Sequence, residues 1–214
     1  MASATASTLA RHLLTIDAVA LRPNDPFTWS SGRRAPIYCD NRRTLAYPDV
    51  RRFICDAFVD VLAPYDLPGA TVAGTATAGI PHAAWLADRR DAPMAYVRGA
   101  AKQHGRQNQI EGVVQPGDDV VLVEDLISTG GSALDAVQAL RDAGATVHAV
   151  LAIFSYELDV AHRAFRSADV PLHVLTGYST LLEVAQATGA IATTDLETLR
   201  TWRRDPEAWS RQFS

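Results

Sequence analysis

The stretch Val120-Val-Leu-Val-Glu-Asp-Leu-Ile-Ser-Thr-Gly-Gly-Ser132 decides how the chain is organised. Its apolar run, Val120 to Val123, predicts a central parallel strand that is covered on both faces. The apolar spacing from Ala133 to Leu140, with Gly144 as the stop, predicts a helix. Two acids and a turn of small and hydroxyl residues lie between strand and helix, and this is where we expect the chemistry.

The turn after the strand has the composition of a phosphate-binding loop. Ser128 to Ser132 combine hydroxyl side chains with glycines where the chain enters a helix, so several backbone N–H groups can point at one phosphate. Any parallel sheet also needs small residues in such turns, and the turn alone leaves a purely structural role open. Glu124 and Asp125 favour a ligand, because carboxylates there suit the hydroxyls of a sugar or a magnesium ion. The stretch as a whole predicts a ribose 5-phosphate site.

Two common phosphate motifs are absent from the sequence. It contains no Gly-x-x-x-x-Gly-Lys-Ser/Thr and no Gly-x-Gly-x-x-Gly after a strand, which argues against P-loop and dinucleotide sites. The stretch instead resembles the phosphoribosyl diphosphate motif of the type I phosphoribosyltransferases, in which hydrophobic residues precede two acids and a hydroxyl- and glycine-rich loop. The resemblance implies that phosphoribosyl diphosphate contacts Glu124, Asp125, Leu126, Ile127, Ser128, Thr129, Gly130, Gly131 and Ser132.

Length and composition are typical of a globular protein, and the net charge gives no overall attraction to nucleic acid or to an anionic membrane. The 214 residues are 48% hydrophobic and 21% charged, and the net charge is -4. We therefore expect neither nucleic acid nor a membrane as a partner. The N-terminus lacks the pattern of a secretory signal, so the cytoplasm is the expected location. Cys39 and Cys55 are the two cysteines of the sequence and do not form a Cys-x-x-Cys pattern, so both are predicted to be free thiols.

The segment from Phe27 to Arg43 mixes aromatic residues, small residues and arginines without a long regular period. Its composition fits either a β-hairpin or loop with solvated arginines, or a lid over an anionic, planar ligand. Its order of Phe27, a Ser-Gly pair, a basic residue and Pro-x-Tyr resembles the N-terminal hood of orotate phosphoribosyltransferases. In that family the hood covers the pyrimidine.

The resemblance implies orotate contacts from backbone groups near Tyr38 and Cys39, and from Ser128. Many relatives carry a lysine immediately before the Ser-Gly pair, where this chain has Ser30. Some relatives also hold the orotate carboxylate with an arginine after a later strand. The corresponding region here, Phe154 to Leu158, contains no arginine.

A second strand-to-helix turn follows Thr71 and consists of small residues. Backbone N–H groups there can hold another anion, although small residues also serve close packing. In the family this position is the diphosphate loop, and the resemblance implies contacts from Thr75, Ala76 and Thr77.

A basic segment follows the strand predicted to end at Val97. From composition alone it fits an exposed hairpin with solvated charges, or a lid that closes over a leaving diphosphate. Its Tyr-Val-Arg and Lys-x-His-Gly resemble the flexible catalytic loop of orotate phosphoribosyltransferases. The resemblance implies diphosphate contacts from Arg98, Lys102 and His104. Gly99 and Ala100 stand where many relatives carry a further lysine.

Apolar segments predict strands near Thr71, Ala92, Val120, Val147 and Leu172, separated by helices. This alternation predicts an α/β fold with a doubly wound, mainly parallel sheet flanked by helices, and ligands at the carboxyl ends of the strands. The resemblance implies that this is the type I phosphoribosyltransferase fold with an N-terminal hood.

We expect one phosphoribosyltransferase domain over residues 1–214. A lead helix, with apolar residues recurring from Leu9 to Ala20, and the hood occupy residues 1–45. The α/β core occupies residues 46–180, and two further helices occupy residues 181–214.

The resemblance implies magnesium-dependent transfer of ribose 5-phosphate from phosphoribosyl diphosphate to orotate, a step of pyrimidine synthesis. Lys102, His104 and Asp125 are the expected catalytic residues. Magnesium is expected to be held mainly by substrate and water, with Asp125 as the candidate protein ligand. A homodimer with shared active sites is also implied. Two alternatives stay open: a phosphoribosyltransferase for a purine, and a regulator that binds phosphoribosyl diphosphate without turnover.

Overall fold

A computed structural model describes residues 3–29, 31–99 and 109–213. Its strands are short at the N-terminus and longest in the middle of the chain. In chain order they are β1 (Val19–Leu21), β2 (Phe27–Thr28), β3 (Arg34–Ala35), β4 (Ile37–Cys39), β5 (Thr71–Thr75), β6 (Met94–Val97), β7 (Ile110–Glu111), β8 (Asp119–Ile127), β9 (Thr146–Ser155) and β10 (Leu172–Gly177).

Six of these strands form the central sheet in the order β10-β9-β8-β5-β6-β7. Neighbouring strands run parallel, except that β7 pairs with β6 in the antiparallel direction. The strands β1 and β4 form one small antiparallel pair, and β2 and β3 form another. The predicted doubly wound, mainly parallel sheet is therefore confirmed.

Helices cover both faces of the sheet. One face carries the N-terminal and C-terminal helices together with α2 and α3, and the other carries α4 and α5. The helices are α1 (Ala4–Thr15), α2 (Pro48–Leu62), α3 (Gly79–Arg90), α4 (Gly131–Asp142), α5 (Asp159–Ser167), α6 (Tyr178–Ala187), α7 (Leu196–Arg204) and α8 (Pro206–Arg211).

The alternation of side chains along β8 explains why this strand lies in the middle. Val121 and Val123 pack into the hydrophobic cluster under α2 and α3, whereas Val120 and Leu122 pack into the cluster under α4 and α5. A strand that buries both of its faces must be apolar at every position, because successive side chains point to opposite sides. Val120 to Val123 are all apolar, and Glu124 is the first charged residue after them.

The hood rests on an aromatic cluster and on the C-terminal helices. Trp29 stacks on Tyr156 with ring centroids 5.4 Å apart and meets the edge of Trp202 at 5.9 Å. The backbone N–H of Arg34 donates to the hydroxyl of Ser210 in α8 at 2.9 Å. The C-terminal helices thus brace the hairpin β2–β3 from outside.

Several predicted boundaries are wrong, each for a local reason. The lead helix ends at Thr15 and not near Ala20, because Asp17 adopts a left-handed backbone with φ 54° and Ala20 joins β1. The central strand continues through the two acids to Ile127, since β9 pairs with β8 along this whole length. The tail contains one helix more than predicted, α8.

The two cysteines are free, as predicted. Within the three described ranges, every helix is too short or too polar to cross a membrane.

Candidate active site

The loops that follow β5, β6 and β8 open at one edge of the sheet, because these strands are parallel neighbours. The register pairs Gly74 with Val123 and Thr75 with Val97. The predicted ribose motif and the predicted diphosphate loop are therefore side by side.

The acid pair sits at this edge in a largely buried position. Glu124 is 6% exposed, and its Oε1 accepts a hydrogen bond of 2.9 Å from the backbone N–H of Asp125. Burial, and then the neighbouring Asp125, raise the pKa of Glu124 to about 8. Burial also raises the pKa of Asp125. Near neutral pH the pair therefore favours holding a proton, and it can both accept and donate hydrogen bonds to hydroxyl groups.

Two buried polar atoms beside the acids lack a partner among the described residues. They are Asn41 Oδ1 and Thr75 Oγ1; the Thr75 hydroxyl is near enough to Glu124 to favour its carboxylate form but makes no hydrogen bond of ordinary length to it. The other side-chain atom of Asn41, Nδ2, donates a hydrogen bond of 2.6 Å to the backbone carbonyl of Asp125. Buried polar groups without partners are rare, and here they flank two carboxyl groups at the end of a sheet. A polar ligand at this edge would complete their hydrogen bonds.

Asn41 is a site residue that the sequence pattern does not predict. It lies in a 3-10 turn (Asn41–Ala46) directly after β4 and is 1% exposed. The only signal in the sequence is its place beside Tyr38 and Cys39, which the hood resemblance singles out. Composition does not distinguish a buried asparagine from one in a solvated loop.

The loop predicted to bind the 5-phosphate connects β8 to α4. After β8 ends at Ile127, Gly130 adopts φ 89° and α4 begins at Gly131 without a side-chain cap. The first-turn N–H groups of α4 are left for a ligand, and the helix dipole favours an anion there. Ser128 is half-buried, whereas Thr129, Gly131 and Ser132 are exposed.

The remaining residues of the motif serve packing. Gly130 is required, because a Cβ there would come within 2.8 Å of the ring of Phe165. Leu126 packs against the hydrophobic cluster of one face and Ile127 belongs to that of the other. Ligand contacts from these two residues must therefore come from their backbone.

The predicted diphosphate loop is held close to the acid pair. The N–H of Ala76 donates to the carbonyl of Val97 at 2.8 Å, Thr77 is exposed, and the bond between them is a cis peptide. Helix α3 then begins at Gly79, which approaches β8 so closely that a Cβ would overlap the carbonyl oxygen of Val123. Helix α3 also lacks a side-chain cap, which leaves the N–H groups of its first turn without a side-chain partner, and it begins just after β5 at the same edge.

The basic segment is only partly described. Arg98 donates through Nη1 to Glu111 Oε1 at 2.9 Å, and its backbone N–H donates to the carbonyl of Gln109 at 2.8 Å. Lys102 and His104, predicted as catalytic, lie outside the described residues, as does Ala100. Gly99 is exposed with open space around it.

The hood places Tyr38 and Cys39 near the acid pair. Tyr38 is 44% exposed and lies 5.7 Å from the ring of Phe27. Burial of the Cys39 thiol, followed by the charges of Asp125 and Asp40, raises its pKa, so the thiol stays protonated. The contact predicted for Cys39 is therefore one from its backbone and not from a thiolate.

A cavity of about 610 Å³ lies between the tip of the hood, the loop after β8, the start of α5 and the junction of α7 and α8, and five arginines line it: Arg33, Arg34, Arg163, Arg203 and Arg204. Trp29 and Ser31 line it from the hood, Ser128 and Thr129 from the loop, and Arg163 from α5. Ser128 therefore faces an opening next to the hood, where the resemblance expects the base.

The described protein groups at this edge are too few to hold magnesium alone, so the ion would have to share its ligands with a substrate. The described residues contain no group of three acidic, histidine or cysteine side chains arranged to hold a metal. Asp125 and Glu124 supply hard carboxylate oxygens, which Mg²⁺ prefers, and substrate oxygens and water would complete its octahedron.

Comparisons with known proteins agree with this geometry. The phosphoribosyl transferase domain matches residues 49–175 of the chain. Orotate phosphoribosyltransferase of Bacillus caldolyticus is 55% identical over 201 residues, which cover 94% of this chain and 97% of the relative. The chain belongs to the orotate phosphoribosyltransferase family.

Solved structures of the orotate phosphoribosyltransferase family share the fold. The enzyme of Aeropyrum pernix superposes with a TM-score of 0.74 at 34% identity, covering 86% of this chain and 99% of that one. The Mycobacterium tuberculosis enzyme, solved in complex with phosphoribosyl diphosphate, gives a TM-score of 0.64 at 26% identity, covering 83% of this chain and 98% of that one. The type I phosphoribosyltransferase fold predicted from the sequence is therefore confirmed.

Proposed function

We propose that this protein transfers ribose 5-phosphate from phosphoribosyl diphosphate to the ring nitrogen of orotate, giving orotidine 5′-monophosphate and diphosphate in pyrimidine biosynthesis. The observation that carries the proposal is the buried pair Glu124–Asp125 beside the uncapped start of α4. Hydroxyl-binding carboxyls next to an anion site match the two ends of a ribose 5-phosphate.

The ribose end of the substrate is assigned to the acid pair and the loop after it. The carboxyl groups of Glu124 and Asp125 bind the ribose hydroxyls, and the N–H groups from Thr129 to Ser132 bind the 5-phosphate. As the bond from the anomeric carbon to the diphosphate breaks, positive charge grows on the sugar. A carboxylate held beside the ring stabilises that charge.

The diphosphate end is assigned to the loop from Thr75 to Thr77 and to Arg98, Lys102 and His104. Diphosphate leaves with the electrons of the broken C–O bond, so cationic side chains around it lower the barrier. Magnesium, when bound, neutralises part of the same charge. In the structure Arg98 is paired with Glu111, and contact with diphosphate requires it to exchange that partner.

The base is assigned to the hood. Backbone groups near Tyr38 and Cys39, with the hydroxyl of Ser128, bind orotate while its ring nitrogen gives its proton to the departing diphosphate and forms the new bond to the anomeric carbon. The hood also covers the reacting carbon, which limits hydrolysis of the activated sugar by water.

Three further properties belong to the same proposal. Magnesium is the cofactor, with Asp125 as its candidate protein ligand. The protein works as a homodimer in which the basic segment of one subunit serves the partner's site, and it acts in the cytoplasm. Family membership supports each of these properties.

The loss of orotate absorbance on addition of phosphoribosyl diphosphate and magnesium tests the proposal. We expect orotate to disappear only when all three are present. Adenine, guanine and hypoxanthine, offered one at a time, should not be consumed. Consumption of a purine, or binding of phosphoribosyl diphosphate without turnover of any base, would contradict the proposal.

A further inference from the structure

Three buried polar side chains form a hydrogen-bonded series that ends at the acid pair. Asn41, Thr44 and His82 are 1%, 0% and 2% exposed. Burying a polar group costs free energy unless a hydrogen bond replaces its contact with water. Thr44 and His82 have no part in the site assigned above, so their burial calls for an explanation.

The contacts run from α3 to the strand that carries the acids. His82 Nε2 lies 3.3 Å from the hydroxyl oxygen of Thr44, which is 2.6 Å from the backbone carbonyl oxygen of Asn41. The side-chain Nδ2 of Asn41 in turn donates to the backbone carbonyl of Asp125 at 2.6 Å. We call these three residues the His82–Thr44–Asn41 series.

The direction of each hydrogen bond follows from counting protons. A carbonyl oxygen only accepts, so the one hydroxyl proton of Thr44 points at Asn41. Thr44 then has only lone pairs to offer His82, and Nε2 must be the ring nitrogen that carries the proton. Burial lowers the pKa of His82 to about 4, so the ring is neutral near neutral pH. Every donor in the series therefore points towards Asp125.

The series connects three parts of the proposed site. His82 lies in the first turn of α3, just after the loop from Thr75 to Thr77, and packs edge-on against Trp85 with ring centroids 5.4 Å apart. Thr44 and Asn41 belong to the 3-10 turn after the hood. An apolar side chain could fill the space of the imidazole, but it would offer Thr44 no donor. The diphosphate loop, the hood and the acid pair are thus linked by specific hydrogen bonds as well as by packing.

We propose that His82 is a positioning residue, which acts through Thr44 and Asn41 to hold the strand end at Asp125 in register with the diphosphate loop and the hood. This inference rests on the proposed function. Loss of the His82 donor leaves the groups that bind the substrates in place but lets the strand end shift. Because transfer needs accurate placement of the reacting groups, the shift lowers kcat more than it raises KM.

Steady-state kinetics on the full-length protein test the inference, with kcat and the KM for orotate and for phosphoribosyl diphosphate. His82→Met fills similar space without a donor, and it should lower kcat about tenfold to a hundredfold while each KM changes by less than about threefold. His82→Gln places an amide N–H near the position of Nε2 and should recover most of the wild-type kcat. His173→Met is the matched control, because His173 lies at the start of β10, away from the carboxyl ends of the strands, and should keep the wild-type kcat.

Thr44 supplies an independent pair of variants. Thr44→Ser keeps the hydroxyl and should keep kcat, whereas Thr44→Val keeps the shape, removes the hydroxyl and should lose as much as His82→Met. Losses within one series are not additive, so the double variant His82→Met/Thr44→Val should be no slower than the slower single variant. If His82→Met does not fold, the comparison of Thr44→Ser with Thr44→Val decides alone.

Two kinetic results would overturn the inference. One is a kcat within about twofold of wild type in His82→Met or in Thr44→Val. The other is an equal loss in His82→Met and His82→Gln, since the ring would then serve packing and not hydrogen bonding.

Nitrogen-15 NMR of the His82 imidazole adds a measurement that does not depend on turnover. We expect a neutral ring with its proton on Nε2 at neutral pH, and a proton on Nδ1 instead would overturn the inference. If wild-type protein consumes orotate while these tests fail, the proposed function stands. If wild-type protein consumes no orotate, the proposed function fails by its own assay, and the NMR measurement still tests the direction of the series.

Discussion

The side-chain amide of Asn41 donates a hydrogen bond of 2.6 Å to the backbone carbonyl of Asp125, across 84 residues of sequence. This contact joins the segment after β4, at the end of the hood, to the acid pair in β8. It fixes the distance between the groups assigned to the base and those assigned to the ribose, and both must be held in place for transfer between them.

Replacing Asn41 with alanine should therefore affect stability and turnover together. Loss of a buried hydrogen bond predicts a fall of about 1–3 kcal/mol in the free energy of unfolding, measured by urea titration. We also expect a lower kcat/KM for orotate. Asn24→Ala is the control, because the Asn24 contact with Asp195 is exposed and should cost little. Equal stability of the two variants would show that the Asn41 contact is not formed in solution.

The raised pKa of Glu124 predicts a pH-dependent stability. The pKa shifts from 4.5 in the unfolded chain to about 8 in the folded protein, so the folded state binds the proton more tightly. Stability is then full below pH 4.5 and is lost as the pH rises towards 8, by up to about 1.4 kcal/mol per pH unit.

Glu124→Gln isolates this effect, because glutamine keeps the size of the neutral acid and cannot ionise. The difference in unfolding free energy between wild type and variant should shift in favour of the variant from pH 5.5 to pH 8.5. A difference that stays constant over this range would mean that Glu124 does not titrate there.

The start of α3 has no room for a side chain at Gly79. A Cβ would overlap the carbonyl oxygen of Val123, in the strand that carries the acids. Gly79→Ala should lower stability by about 1–3 kcal/mol or more, since neither backbone can move freely. Gly99→Ala, at a position with open space, should leave the unfolding transition unchanged. A Gly79→Ala protein as stable as wild type would refute the close approach.

Lys102 is expected to act on the leaving diphosphate. Lys102→Ala should lower kcat about 100-fold or more, if its charge meets charge present only in the transition state. Lys102→Arg is the control that keeps the charge and should retain more activity. An unchanged kcat in the alanine variant would remove Lys102 from the reaction.

The same variant tests whether sites are shared between subunits. Lys102→Ala and Asp125→Asn proteins are each expected to be nearly inactive. If the basic segment serves the partner's site, hybrid dimers formed by unfolding and refolding the mixture should regain part of the activity. Absence of any recovery, with hybrid formation verified by mass spectrometry, would argue for independent sites.

The order of strands and helices followed from hydrophobic periodicity, because buried strands and amphipathic helices leave direct traces in the sequence. Helix α4 begins at Gly131 and ends at Asp142, close to the span from Ala133 to Leu140 that its apolar spacing predicts. The end of α1 was not predictable in the same way. Ile16 continues the helical spacing, but the left-handed turn at Asp17 depends on the strand pairing of β1 with β4.

The residues of the site show the same difference between local sequence patterns, which are predictable, and contacts remote in sequence, which are not. The acids and the glycine-rich loop form one continuous segment, and the sequence pattern of that segment predicts them directly. Asp195 stands at the N-cap position of α7, yet its side chain accepts a hydrogen bond from the backbone N–H of Ala192, before the helix. Asn41 likewise acts through a contact remote in sequence, and a single sequence carries no record of such pairs.

Product analysis under competition tests the central claim most directly. The wild-type protein is incubated with phosphoribosyl diphosphate, magnesium and equal concentrations of orotate, uracil, adenine, guanine and hypoxanthine, and the nucleotides formed are identified by mass spectrometry. We predict orotidine 5′-monophosphate as the main nucleotide, in an amount equal to the diphosphate released. Formation of a purine nucleotide instead, or release of diphosphate without any nucleotide, would contradict it.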